Sequence, residues 1–138
     1  MEPHAIPRIT GAELANIIKS DNNLPWQDYL VVDVRDSDWK GGNIKGSYNL
    51  PSLKFQAGVD SLISKTKDVP MVIFHCKFSQ ERGPVAAAIY DARRALQEAD
   101  GYKKQQVYVL HGGFNTFATT YKNDPRLVEN WNENVVIW

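Results

Sequence analysis

An α/β fold, with a parallel sheet buried between helices on both faces, is predicted by three observations. Short β-branched runs alternate with helix-like stretches across connectors of a few residues. The runs Tyr29–Val34, Met71–His75 and Val107–Leu110 are almost wholly apolar, as strands buried on both faces are. A helix signature then follows the Met71–His75 run, with Gly83-Pro84 opening an alanine-rich stretch.

Taken in order, Ile9 ends a short apolar start, and Thr10-Gly11-Ala12-Glu13 has the spacing of a capping box opening a helix to about Lys19. Ser20 to Pro25 is a polar connector before the Tyr29–Val34 strand. Asp36 to Lys40 makes a helical turn that Gly41-Gly42 stops, and Ser47 to Leu50 is a short strand ended by Pro51. Val59 to Lys65 puts Val59, Leu62 and Ile63 on one helical face. In the helix from Pro84 to about Gln97, the stripe Val85, Ala88, Ile89, Ala92 and Leu96 is expected to face the core. After the Val107–Leu110 strand come His111-Gly-Gly and a helix from Phe114 to Tyr121. Asp124-Pro125 restarts a short helix toward Trp131, and Val135–Trp138 is expected to pack back on the body.

Composition narrows the function classes. The 138 residues fit one domain spanning 1–138, and 43% apolar residues suffice for its core. Sixteen basic residues balance sixteen acidic ones, so no net charge draws the chain to nucleic acid or membrane. No apolar run approaches the roughly 20 residues that span a bilayer, and the N-terminus has no secretory or transit pattern. The single cysteine cannot form an internal disulfide and fits a cytoplasmic or nuclear setting. His4, His75 and His111 lack metal-ligand spacing, so a structural zinc site is not expected, and no other cofactor is expected either.

The chemistry concentrates at Cys76. A thiol at the carboxyl end of a strand, before a helix N-terminus, meets unpaired N–H groups and the positive end of the helix dipole. That setting favours the thiolate, which is the nucleophilic form. Arg82, separated from Cys76 by five residues, can grip two oxygens of a tetrahedral oxyanion. Phosphate is the first substrate group to consider.

Here the chain resembles a known family over nearly its whole length. HCKFSQERGP is similar to the active-site loop of rhodanese-fold, dual-specificity phosphatases of the cell-division-cycle type and their small single-domain relatives in fungi and plants. VVDVRDSDWKGGNIKGSYNLP is similar to the rhodanese segment with Asp-x-Arg and Gly-Gly-x-Ile-x-Gly, and VYVLHGGFNTF to its last strand and Gly-Gly turn. The resemblance implies a rhodanese-like fold with a central five-stranded parallel sheet. It also implies a seven-residue loop, Cys76 to Arg82, sized for phosphate, whereas sulfurtransferases of this fold carry a loop one residue shorter.

The mechanism expected is attack of the Cys76 thiolate on phosphorus, giving a phosphocysteine that water hydrolyses. Arg82 and the loop N–H groups stabilise the equatorial oxygens. Ser79 is a candidate to assist departure of the sulfur, and Glu81 is the nearest candidate general acid, its rival reading being a solvated side chain. Lys77, Phe78, Ser79, Gln80, Glu81, Arg82 and Gly83 form the substrate-binding loop. His75, Asp33 and Arg35 are expected to brace it, the last two as an internal ion pair. The substrate is then a phosphotyrosine or phosphoprotein ester. The alternative is arsenate reduction, because yeast-type arsenate reductases share His-Cys-x-x-Ser-x-x-Arg-Gly-Pro. With one cysteine that reaction needs an external thiol such as glutathione or glutaredoxin. A sulfurtransferase and a non-catalytic rhodanese-like binding module rank below both.

Overall fold

A computed structural model of the chain describes residues 5–135. The elements run β1 (Arg8–Ile9), α1 (Gly11–Lys19), β2 (Leu30–Asp33), β3 (Asn43–Ile44), β4 (Tyr48–Asn49), α2 (Phe55–Lys65), β5 (Met71–His75), α3 (Arg82–Ala95), β6 (Gln106–Leu110), α4 (Gly113–Tyr121) and β7 (Val128–Glu129). A five-stranded sheet has the order β1-β6-β5-β2-β4, all pairs parallel. The central five-stranded parallel sheet is the one that the resemblance of the loop and its flanking motifs implies.

The apolar runs make sense once both faces are covered. Leu30 and Val32 of β2, Val72 and Phe74 of β5, and Val107 and Val109 of β6 point to one face, against Phe55, Val59 and Leu62 of α2 and Ala86, Ala87 and Tyr90 of α3. Val31, Ile73 and Leu110 point to the other, against Leu14 of α1 and Phe114 and Phe117 of α4. Successive strand residues alternate sides, so a sheet buried twice needs apolar residues at every position. Among the described residues no helix is long and apolar enough to cross a membrane.

Helix α1 starts where its capping box says. Thr10 Oγ1 accepts from the Glu13 N–H at 3.1 Å, and Glu13 Oε1 accepts from the Thr10 N–H at 3.0 Å. Helix α2 begins at Phe55, earlier than its apolar periodicity indicates, after a 3₁₀ turn over Ser52–Lys54.

Three expectations are corrected. The buried face of α3 is Gly83, Ala86, Ala87, Tyr90 and Arg94, while Val85 and Leu96 are 59% and 75% exposed. Small residues let the helix lie close on the sheet. Arg94 is buried because its guanidinium donates to the carbonyls of Lys67 and Lys103, each at 3.0 Å. Choosing the larger aliphatics as the core stripe therefore sets the wrong phase. The short helix expected from Asp124 toward Trp131 is also absent. The Asp124 side chain accepts from the Arg126 N–H at 2.9 Å, a local turn that competes with helix. The chain then forms β7, antiparallel to β3. Val135 is 46% exposed rather than packed, and residues 136–138 lie outside the described residues.

Candidate active site

Parallel strands bring the carboxyl ends of β2, β5 and β6 to one edge of the sheet. The register Asp33↔His75 and Phe74↔Val109 sets Cys76 one residue beyond the central strand, between the loops that leave β2 and β6. The chain turns from Cys76 through Arg82 and enters α3 directly. Gly83, in the first turn, aims its N–H at Cys76 Sγ at 3.3 Å. The sulfur therefore lies at the N-terminus of α3, within reach of a backbone donor. A Cβ on Gly83 would sit 3.3 Å from the Cys76 nitrogen and the His75 Cα, so glycine allows the helix to start this close to Cys76.

The loop is held from two sides, by α4 and by β1. Helix α4 donates from its first turn, Phe114 N–H to the Cys76 carbonyl at 3.0 Å and Asn115 N–H to that of Lys77 at 2.9 Å. Gly113 makes this approach possible: it has φ +62, and a Cβ there would meet both carbonyl oxygens at 2.6 Å. From β1, Arg8 Nη2 donates to the Ser79 carbonyl at 3.0 Å, where Ser79 adopts φ 57. A serine in the left-handed region is strained, and Arg8 is one of the contacts that keep it there. At the end of β2, the buried Asp33 and Arg35 pair at 2.7 Å, and Arg35 meets α4 rather than the loop: it donates to the Gly42 carbonyl at 2.9 Å and stacks its guanidinium 4.1 Å from the Phe114 ring centroid.

A cavity of about 250 Å³ opens above the sulfur, lined by Cys76, Lys77, Phe78, Gln80, Glu81 and Arg82. Cys76 is 4% exposed, at its floor. Phe78 is about half exposed, with the Lys77 ammonium 5.2 Å from its ring centroid. Glu81 is exposed. Ser79 and Gly83 do not line this cavity. Ser79 turns inward, and its Oγ, like His75 Nε2, is buried with no hydrogen-bond partner among the described residues. Nδ1 of His75 lies 3.1 Å from the Cys76 carbonyl, with roles set by the tautomer. Burial pushes the His75 imidazole below its ordinary value, with Asp33 opposing and Arg35 adding to the shift.

Arg82 has partners that reasoning from its neighbours in sequence did not supply. Its Nη1 and Nη2 donate to Asp38 at 2.9 and 2.8 Å, and Nη1 also donates to Asp36 at 3.2 Å. Hydrogen bonding to Asp38 holds the guanidinium charged beyond its ordinary range, against the opposing effect of burial. The same contact holds the Asp38 carboxyl below the usual range. Burial works against Asp36, but bonds from Ser52, Leu53 and Arg82 lower it too. Asp36, Asp38 and Arg8 are the parts of the site that sequence reasoning missed. The one local hint was the DVRDSD charge cluster at a strand's carboxyl end.

The family model for the rhodanese-like domain matches residues 10–120. The chain is 34% identical to dual specificity phosphatase ibp1 of Schizosaccharomyces pombe over 112 residues, covering 72% of this chain and 81% of that protein. Against M-phase inducer phosphatase 3 of Xenopus laevis it is 30% identical, covering 83% of this chain but spanning 21% of that protein's length. The structure of Ygr203w, described as a yeast protein tyrosine phosphatase of the rhodanese family, superposes with a TM-score of 0.77 at 26% identity, covering 96% of this chain and 98% of that one. The As-Sb reductase of Leishmania major superposes with a TM-score of 0.67 at 30% identity, covering 89% of this chain and 84% of that one. The chain belongs to the rhodanese-like domain family.

Proposed function

We propose that this protein is a cysteine-dependent phosphatase hydrolysing phosphotyrosine and related phosphoprotein esters. The observation that carries the proposal is the seven-residue loop from Cys76 to Arg82, with the Gly83 N–H 3.3 Å from the sulfur and Arg82 on the same cavity wall. The similarity to phosphatase-type members of the family supports it.

The chemistry follows from the loop. The thiolate attacks phosphorus opposite the ester oxygen, forming an S–P bond as the P–O bond breaks. The departing oxygen takes a proton, for which Glu81 on the cavity wall is the candidate donor. Water then attacks phosphorus, the S–P bond breaks, and the thiolate returns with release of phosphate. Loop N–H groups and Arg82 stabilise the oxygens as charge shifts onto them. The buried Ser79 hydroxyl is the candidate to ease departure of sulfur in the second step.

A second reading, arsenate reduction, is favoured by the similarity to the Leishmania major As-Sb reductase. Arsenate has the shape and charge of phosphate, and Cys76 is the chain's sole cysteine, so the electrons would come from an external thiol such as glutathione or glutaredoxin. Either chemistry needs a reduced cysteine, consistent with a single catalytic domain working in the cytoplasm or nucleus. The discriminating experiment assays phosphate-ester hydrolysis beside glutathione/glutaredoxin-dependent arsenate reduction, with Cys76→Ser as the control. Hydrolysis lost in Cys76→Ser, with arsenate reduction no faster than background, is the expected result. Cys76-dependent arsenate reduction without hydrolysis would transfer the assignment to the second reading.

A further inference from the structure

A guanidinium carries five N–H donors arranged along distinct edges. Arg82 uses three of them on carboxylates: the two that face forward between Nη1 and Nη2 go to Asp38, and the remaining Nη1 donor goes to Asp36. Its Nε–H and second Nη2–H have no partner among the described residues, and they lie side by side on one edge. Two parallel donors on one edge match two oxygens of a tetrahedral anion.

The carboxylates are themselves fixed. The Asp36 carboxylate accepts from Ser52 Oγ at 2.6 Å and from the Leu53 N–H at 3.0 Å. Asp38 Oδ1 accepts from the Asp36 N–H at 2.9 Å, closing the turn on itself. Below them Arg35 Nη1 donates to the Asp38 carbonyl at 3.3 Å, so the buried Asp33–Arg35 pair supports the same turn.

We infer that Asp38, backed by Asp36, positions Arg82 by the forward end of its guanidinium and leaves the Nε/Nη2 edge for two oxygens of a bound oxyanion. Asp38 is a positioning residue: it does not itself touch substrate. The alternative is a latch, in which the carboxylates compete with the anion for Arg82 and must let go before it binds. The two arrangements differ in sign. If Asp38 positions Arg82, removing its charge weakens anion binding despite relieving a negative charge nearby. If it is a latch, removal tightens binding.

The inference rests on Cys76–Arg82 being an oxyanion site, so the test measures binding without turnover: protection of Cys76 from alkylation by inorganic tungstate. Asp38→Asn keeps an oxygen for the Asp36 N–H but turns a donor toward Arg82 Nη2, breaking the bidentate pair. Tungstate affinity is expected to fall about tenfold, the scale of one charge-assisted hydrogen bond. Asp38→Ala, which removes both oxygens, should lose at least as much. In an Arg82→Lys background, where no two-edged group remains, Asp38→Asn should change affinity by less than about twofold. Unchanged or tighter binding in both single variants, or an equal loss in the Arg82→Lys background, would overturn the inference. A protein that binds tungstate yet hydrolyses no ester would end the phosphatase proposal while leaving this test intact.

Discussion

Gly113 is where helix α4 meets the Cys76–Arg82 loop, and replacing it by alanine measures that grip. At φ +62 an alanine adopts the left-handed region at a cost of about 1–2 kcal/mol. Its Cβ would also sit 2.6 Å from the Cys76 and Lys77 carbonyl oxygens, so either the loop or the start of α4 must move. Movement stretches the bonds from Phe114 and Asn115 to those carbonyls, now 3.0 and 2.9 Å, each contributing about 1 kcal/mol. The sum is about 3–4 kcal/mol, a large part of the roughly 5–15 kcal/mol that holds a domain folded. Gly101→Ala is the matched control, because Gly101 has φ +90 but nothing within 4 Å of its Cβ site. Urea unfolding should show Gly113→Ala losing about 2 kcal/mol more than Gly101→Ala, with weaker tungstate protection of Cys76 only in the former. Equal losses in the two variants, within about 0.5 kcal/mol, would refute the argument that α4 clamps the loop.

Burial holds His75 below its ordinary value, so on acidification the unfolded chain takes up a proton that the folded chain does not. The stability linked to His75 is therefore fully present above the unfolded pKa of about 6.5 and declines below it, by at most about 1.4 kcal/mol per pH unit. The stability advantage of the parent protein over His75→Gln should narrow between about pH 8 and pH 5, and a constant gap would remove burial as the cause. If Glu81 is the proton donor, Glu81→Gln should slow esters with poor leaving groups far more than activated aryl phosphates. Similar losses for both classes would take Glu81 out of that role.

The sheet and its loop were legible because their signals are local. Met71–His75 is an apolar run framed by Pro70 and the loop, and it forms a strand with those bounds. The Thr10–Glu13 box places the start of α1 for the same reason. What escaped depends on partners distant in the chain. Arg94 reads as a surface residue until the carbonyls of Lys67 and Lys103 surround it. Asp124 has both helix-start and turn chemistry, and pairing of Val128 with Ile44 decides for the turn. Asp36 and Asp38 are ordinary acidic residues of a short turn until β2 and β5 lie side by side, and Arg8 reaches Ser79 because β1 pairs with β6. Cys76 and Arg82 lie in one segment, whereas the carboxylates that bond Arg82 and the Arg8 that bonds the loop are brought there by topology.

Trapping the intermediate tests the central claim most directly. A rapid acid quench of the protein during turnover of an aryl phosphate, followed by mass analysis of the Cys76 peptide, should show one phosphoryl group on sulfur. The adduct should form and decay at rates that account for turnover, and Cys76→Ser should give none. Full hydrolytic activity in Cys76→Ser, or turnover with no adduct on Cys76 at any quench time, would contradict the account.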